Sequence, residues 1–81
     1  MRNGTVVKEK EGENVLHVYS DEILDVPRVK RSLFVFPRGE VGFVIGVRNV
    51  EDSSDRYFRV LTSKGVGWVN EYWVERVRMN P

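Results

Sequence analysis

Residues 56–74 read Arg56-Tyr57-Phe58-Arg59-Val60-Leu61-Thr62-Ser63-Lys64-Gly65-Val66-Gly67-Trp68-Val69-Asn70-Glu71-Tyr72-Trp73-Val74. From Arg56 to Thr62 the apolar residues alternate, which marks a strand with Phe58 and Val60 facing inward. Ser63-Lys64-Gly65 is a turn, because glycine reaches positive φ and serine bonds back to the local backbone. A second strand follows, in which Gly67 lets two strands approach closely. Val69 and Val74 then point inward across one tight turn. Trp68 and Trp73 fall on the other side of the layer, beside Tyr57.

The rest of the chain agrees with strands. Among its 81 residues are sixteen valines and no alanine. Alanine is the best helix former, whereas β-branched side chains lose rotamer freedom in a helix and suit a pleated surface. β-type runs occur at Thr5–Lys8, Val15–Tyr19, Val29–Phe36, Val41–Val47 and Val74–Val77. The run at 15–19 is placed to pair with the run at 29–36. Val41 to Val47 is almost wholly apolar, as expected of a central strand. In the run at 29–36, Val29, Leu33 and Val35 share a face with Arg31, opposite Lys30, Ser32, Phe34 and Phe36. Ser20 is placed to cap a short helical turn containing Asp21 and Glu22, which Pro27 limits. The expected core comprises Val6, Leu33, Val35, Val44, Val60, Val69 and Val74.

Composition bounds the function. Hydrophobic residues are 41% and charged residues 31%, a globular balance in one domain spanning residues 1–81. No apolar stretch nears the ~18 residues of a membrane span, and no secretory core follows Met1. The expectation is a small complete cytoplasmic protein without membrane contact, either monomeric or a weak edge-paired dimer. The absence of cysteine excludes disulfides, thiolate metal sites and a cysteine nucleophile. His17 is the one histidine and lies in an alternating strand. The carboxylates Asp21-Glu22-Asp25 and Glu51-Asp52-Asp55 have loop spacing and do not match a calcium loop. With no phosphate loop or dinucleotide fingerprint, the reading is not an enzyme, with no catalytic residues, no cofactor and no metal.

The segment at 56–74 resembles the end of an SH3 domain, with its aromatic strand, distal hairpin, Gly-aromatic-aliphatic step, short 3₁₀ turn and final aromatic-Val. Upstream, Pro37-Arg38-Gly39-Glu40-Val41-Gly42 resembles that family's diverging turn. The resemblance, to the small standalone bacterial or phage type of SH3-like protein, is strongest over residues 37–77. It implies a small five-stranded all-β barrel with a long first loop (residues 11–28) and at most one short helical turn. It also implies an aromatic shelf of Tyr57, Trp68, Asn70 and Trp73, which in the family binds extended peptides. Asn70 stands where the family has a proline. Thr5-Val6-Val7 lacks the family's first-strand aromatics, so Tyr19 or His17 would rebuild that half of the groove. The resulting expectation is a non-enzymatic binding or accessory protein that docks on a protein partner.

Charge supplies an alternative. Residues 26–50 carry five basic side chains and one acidic one within a chain of net charge +1. Glu40-Val41-Gly42-Phe43-Val44-Ile45-Gly46 resembles the KOW pattern of nucleic-acid-binding SH3-like modules. Under that reading Arg28, Lys30, Arg31, Arg38 and Arg48 meet phosphate, with Phe34 or Phe36 as stacking faces.

Overall fold

The computed structural model describes residues 5–10, 12, 15–25, 31–50 and 54–77. Seven strands form one antiparallel sheet: β1 (Val6–Glu9), β2 (His17–Tyr19), β3 (Ser32–Val35), β4 (Gly42–Asn49), β5 (Arg56–Thr62), β6 (Gly65–Asn70) and β7 (Val74–Arg76). Their order is β3-β2-β6-β5-β4-β1-β7, curled into a half-barrel whose two edges are β3 and β7. A single helical turn, α1 (Glu22–Asp25), follows β2, and a 3₁₀ turn (Glu71–Trp73) joins β6 to β7.

The fold is all-β with little helix, but it has seven strands rather than five. The two extra strands come from the region read as an elaborated first loop and from the run that follows it. β2 pairs with β3 as a hairpin and also joins β6 through Tyr19 opposite Trp68. Gly67 permits that junction: a Cβ there would lie 2.5 Å from Val18 Cγ1 and 3.0 Å from the Tyr19 carbonyl oxygen. Any side chain would hold β2 off the sheet, so the hairpin is added to the sheet only because position 67 is bare. The β5–β6 hairpin closes at Gly65, whose φ of +142° suits glycine.

Curling divides the molecule into an inner and an outer face. Val7, Val18, Phe36, Val44, Phe58, Val60, Val69 and Val74 form the buried inner core, with Leu16, Phe34 and Val47 packed against it. Of the expected core, Val44, Val60, Val69 and Val74 are buried there. Val6 is only half-buried, and its neighbour Val7 takes the inner place. Leu33 and Val35 are corrected outright: they are 51% and 38% exposed, while Phe36 is wholly buried. Side chains in a strand alternate strictly, so choosing the wrong face misplaces every residue at once. The phenylalanines have more apolar area to remove from water, and Arg31 belongs to the other face. Phe36 is held inward by its N–H, which donates to the Leu16 carbonyl at 2.7 Å.

The helical turn is present, but Ser20 caps it differently. Its carbonyl accepts from the Ile23 N–H at 3.2 Å, while its buried hydroxyl has no hydrogen-bond partner among the described residues. Among the described residues no helix is long and apolar enough to cross a membrane.

Candidate functional site: the outer face of the sheet

The alternation that buries Phe58, Val60 and Val69 sends Tyr57, Arg59, Leu61 and Trp68 to the outer face. Cross-strand register arranges that face in rows. Val6 pairs with Phe43, Phe43 with Leu61, and Leu61 with Val66. The next row is Gly46, Arg59, Trp68 and Tyr19, and the third is Arg48, Tyr57 and Asn70.

Part of this face is covered by the chain itself. Ile23 of α1 is fully buried against Val50, Tyr57 and Trp68, with Tyr19 and Leu24 at the margin. Trp68 Nε1 donates to Asp21 Oδ1 at 2.5 Å, tying the turn to the sheet. Burying Ile23 contributes roughly 1.5–3 kcal/mol. The expected shelf is therefore divided. Trp68 lies on the outer side of the layer beside Tyr57, as expected, but α1 covers both, leaving them 6% and 7% exposed, whereas Trp73 is half-exposed. The sequence shows the reason in retrospect: Ile23-Leu24 is an apolar pair inside an acidic segment, and such a pair needs a cover.

Asn70 has structural work. Its Oδ1 accepts from the Tyr72 N–H at 2.9 Å and so caps the 3₁₀ turn. Burial pushes the Tyr57 phenol above its ordinary pKa of 10.0; a hydrogen bond from Asn70 opposes the shift, and the charges of Asp55 and Tyr19 add to it. Trp73 is half-exposed and meets Tyr72 edge-to-face at 4.9 Å, while Lys10 Nζ lies 4.7 Å over the Tyr72 ring. The 3₁₀ turn is braced by Arg56, which donates through Nε and Nη2 to Glu71 Oε2 at 2.9 and 2.6 Å.

The described members of the basic segment, Arg31, Arg38 and Arg48, do not share one set of contacts. Arg28 and Lys30 lie outside the described residues, as do Glu51 and Asp52 of the acidic loop. Arg31 pairs with Glu22 at 3.5 Å and Arg38 with Glu9 at 3.7 Å. Phe36 is buried and offers no stacking face. Of the described members, Arg48 stands on the outer face, and there it joins Arg59, which the charge pattern alone does not single out.

Two other features were weighed as sites. His17 Nδ1 lies 2.8 Å from Ser32 Oγ, an exposed pair on the β2–β3 hairpin, and no carboxylate contacts the imidazole among the described residues. A serine nucleophile needs its base oriented by a third group, and here the ring's other neighbour is Tyr19, stacked at 6.3 Å. An open groove of about 410 Å³ runs between Lys8, Glu9, Lys10 and Gly12 on one side and residues 38–41 on the other. Lys8 bonds Glu75 and Arg38 bonds Glu9, so its charges are largely matched. No group of three or more His, Asp or Glu is placed to hold a metal ion among the described residues. Comparison with known proteins finds no matching family model, curated protein or solved structure.

The uncovered part of the outer face is the remaining candidate. Phe43, Ile45 and Leu61 are 48%, 41% and 44% exposed. Ile45 is the extra residue of a bulge between Val44 and Gly46, which turns it outward beside the row. Nothing in the chain's own described structure covers these three side chains.

Proposed function

We propose that this chain is a non-enzymatic, cytoplasmic binding or accessory protein of the SH3-like class, docking on a protein partner through the uncovered half of its outer face. The β5–β6 hairpin, the 3₁₀ turn after β6 and the return of β7 onto β1 support the class. The observation that carries the binding surface is the row Val6, Phe43, Leu61 and Val66 with Ile45 beside it, a run of apolar side chains on one face of four adjacent strands. Single exposed apolar residues are ordinary, whereas a contiguous set is the mark of a contact surface. The aromatic shelf as first read, through Tyr57 and Trp68, is taken by α1, and Trp73 remains as a flanking contact.

The test is affinity capture from cell lysate, comparing the parent chain with Phe43→Ser/Leu61→Ser and with Trp73→Ala. The double variant is expected to lose its specific partner while keeping the parent's thermal midpoint within a few degrees. Capture that survives the double variant but fails with Trp73→Ala would move the site to the 3₁₀ turn.

A further inference from the structure

The uncovered row has a charged neighbour. Arg59 and Arg48 occupy the next two rows on the same face and are exposed. Elsewhere Lys8, Arg31, Arg38 and Arg56 each meet a carboxylate. Neither Arg48 nor Arg59 has one among the described residues. Among the described residues, Glu75 meets Lys8, Asp21 accepts from Trp68, and Asp55, whose charge acts on the Tyr57 phenol, has contacts of its own. The Arg59 stem lies over Gly46, its Cβ 3.3 Å and its Cδ 3.9 Å from where a Gly46 Cβ would stand. The bare glycine thus leaves room for the arginine stem beside the apolar row.

We infer that this face takes an acidic, apolar protein segment, whose apolar side chains cover Phe43, Ile45 and Leu61 while its carboxylates meet Arg48 and Arg59. The inference rests on the docking reading above and adds the chemistry of the partner. Guanidinium forks match carboxylates in a planar, two-point geometry, and a charge at the rim of an apolar patch selects partners more than it adds affinity. A second copy fits less well. Face-to-face pairing of two identical surfaces brings all four arginines into one interface, with no free acid of that face among the described residues to meet them. Nucleic acid fits less well too, because Ile45 and Leu61 give bases no ring to stack on, leaving Phe43 alone.

The test uses fluorescence anisotropy with three labelled probes: a short amphipathic peptide of leucine and glutamate, the same peptide with lysine for glutamate, and a single-stranded oligo-dT. The leucine–glutamate peptide is expected to bind and the other two to fail. Leu61→Ser should weaken binding about tenfold, as for a central apolar contact. Arg48→Glu/Arg59→Glu should transfer the preference to the lysine peptide. All three positions are exposed, and a thermal melt confirms that each variant is folded. If Leu61→Ser removes binding and the charge reversal changes nothing, the acidic partner is wrong and the docking face stands. Should Leu61→Ser leave peptide binding intact, both fail. Preference for oligo-dT over both peptides would overturn the inference in favour of nucleic acid. Sedimentation as a dimer that Leu61→Ser dissolves would overturn it in favour of self-association.

Discussion

The two halves of the outer face begin from similar material and end differently. On one half, Tyr57, Trp68 and Val50 lie beneath Ile23 of α1 and are nearly dry. On the other, Phe43, Ile45 and Leu61 remain about half exposed. Both halves belong to the same three central strands, and neither is more polar in sequence. The difference is made by chain outside those strands, since α1 packs on one half and not on the other. Apolar area on a curled sheet is covered by whatever segment can reach it, and the part that no described segment reaches stays exposed.

The largest expected effect separates the halves directly. Ile23→Asp puts an unpaired charge in a fully buried place, at a cost of several kcal/mol. It should detach the turn or unfold the domain, whereas Leu61→Asp on the bare half should shift the thermal midpoint by only a few degrees. The chain has two tryptophans, so a Trp73→Phe background leaves Trp68 as sole reporter, and its emission should move to the red in the Ile23 variant. Equal melting of the two variants would erase the distinction.

A smaller effect concerns how the cover is attached. Gly67→Ala pushes against Val18 and the Tyr19 backbone, and overpacking of this kind costs about 1–3 kcal/mol. Hydrogen exchange should quicken in β2 and β3 first, while β1, β4 and β7 keep their protection. Uniform loss of protection would mean that the hairpin is not a separable unit. Asp21→Ala removes the acceptor of the Trp68 indole N–H and should cost about 1 kcal/mol in urea unfolding, less than Ile23→Asp.

The smallest effect is a pH dependence. Tyr57 on the covered half has its phenol pKa raised by burial. The folded chain therefore holds that proton more tightly than the unfolded chain. The associated stability is complete below pH 10.0 and declines at higher pH, where the unfolded phenol ionises first. Urea midpoints measured through that alkaline range should fall less steeply for Tyr57→Phe than for the parent. Identical slopes would place Tyr57 in water, contrary to its position under α1.

Much of the architecture was legible because it follows from local pattern. The abundance of valine, the alternation at 56–62 and the turn at 63–65 correspond to β5, β6 and their hairpin. Phe58, Val60 and Val69 lie inside because their spacing gave them no other face. Gly67 was readable as a place of close approach, though not which strand would approach. The faces of β3 were misread because Leu33 and Val35 looked like core on hydropathy alone. Arg31 on their side was the contrary signal, and burying two large rings outweighs burying smaller aliphatic chains. The site was less legible. Asn70 read as a shelf residue and is a cap, while Arg59 gained meaning only when register set it beside Phe43, Leu61 and Arg48.

By itself the sequence determined that this chain is a β-sheet protein, where its main hairpin turns, and which valines of β4, β5, β6 and β7 lie inside. Those properties depend on neighbours a few residues apart, through backbone preference and period-two alternation. Tertiary structure alone decided that the β2–β3 hairpin joins the main sheet at Trp68, that Ile23 covers Trp68, and that, within the described structure, Phe43, Ile45 and Leu61 stay bare beside Arg48 and Arg59. Each of these depends on contacts between segments distant in the chain. Such contacts are set by where curvature and reach bring the segments together, and residue type alone does not encode that.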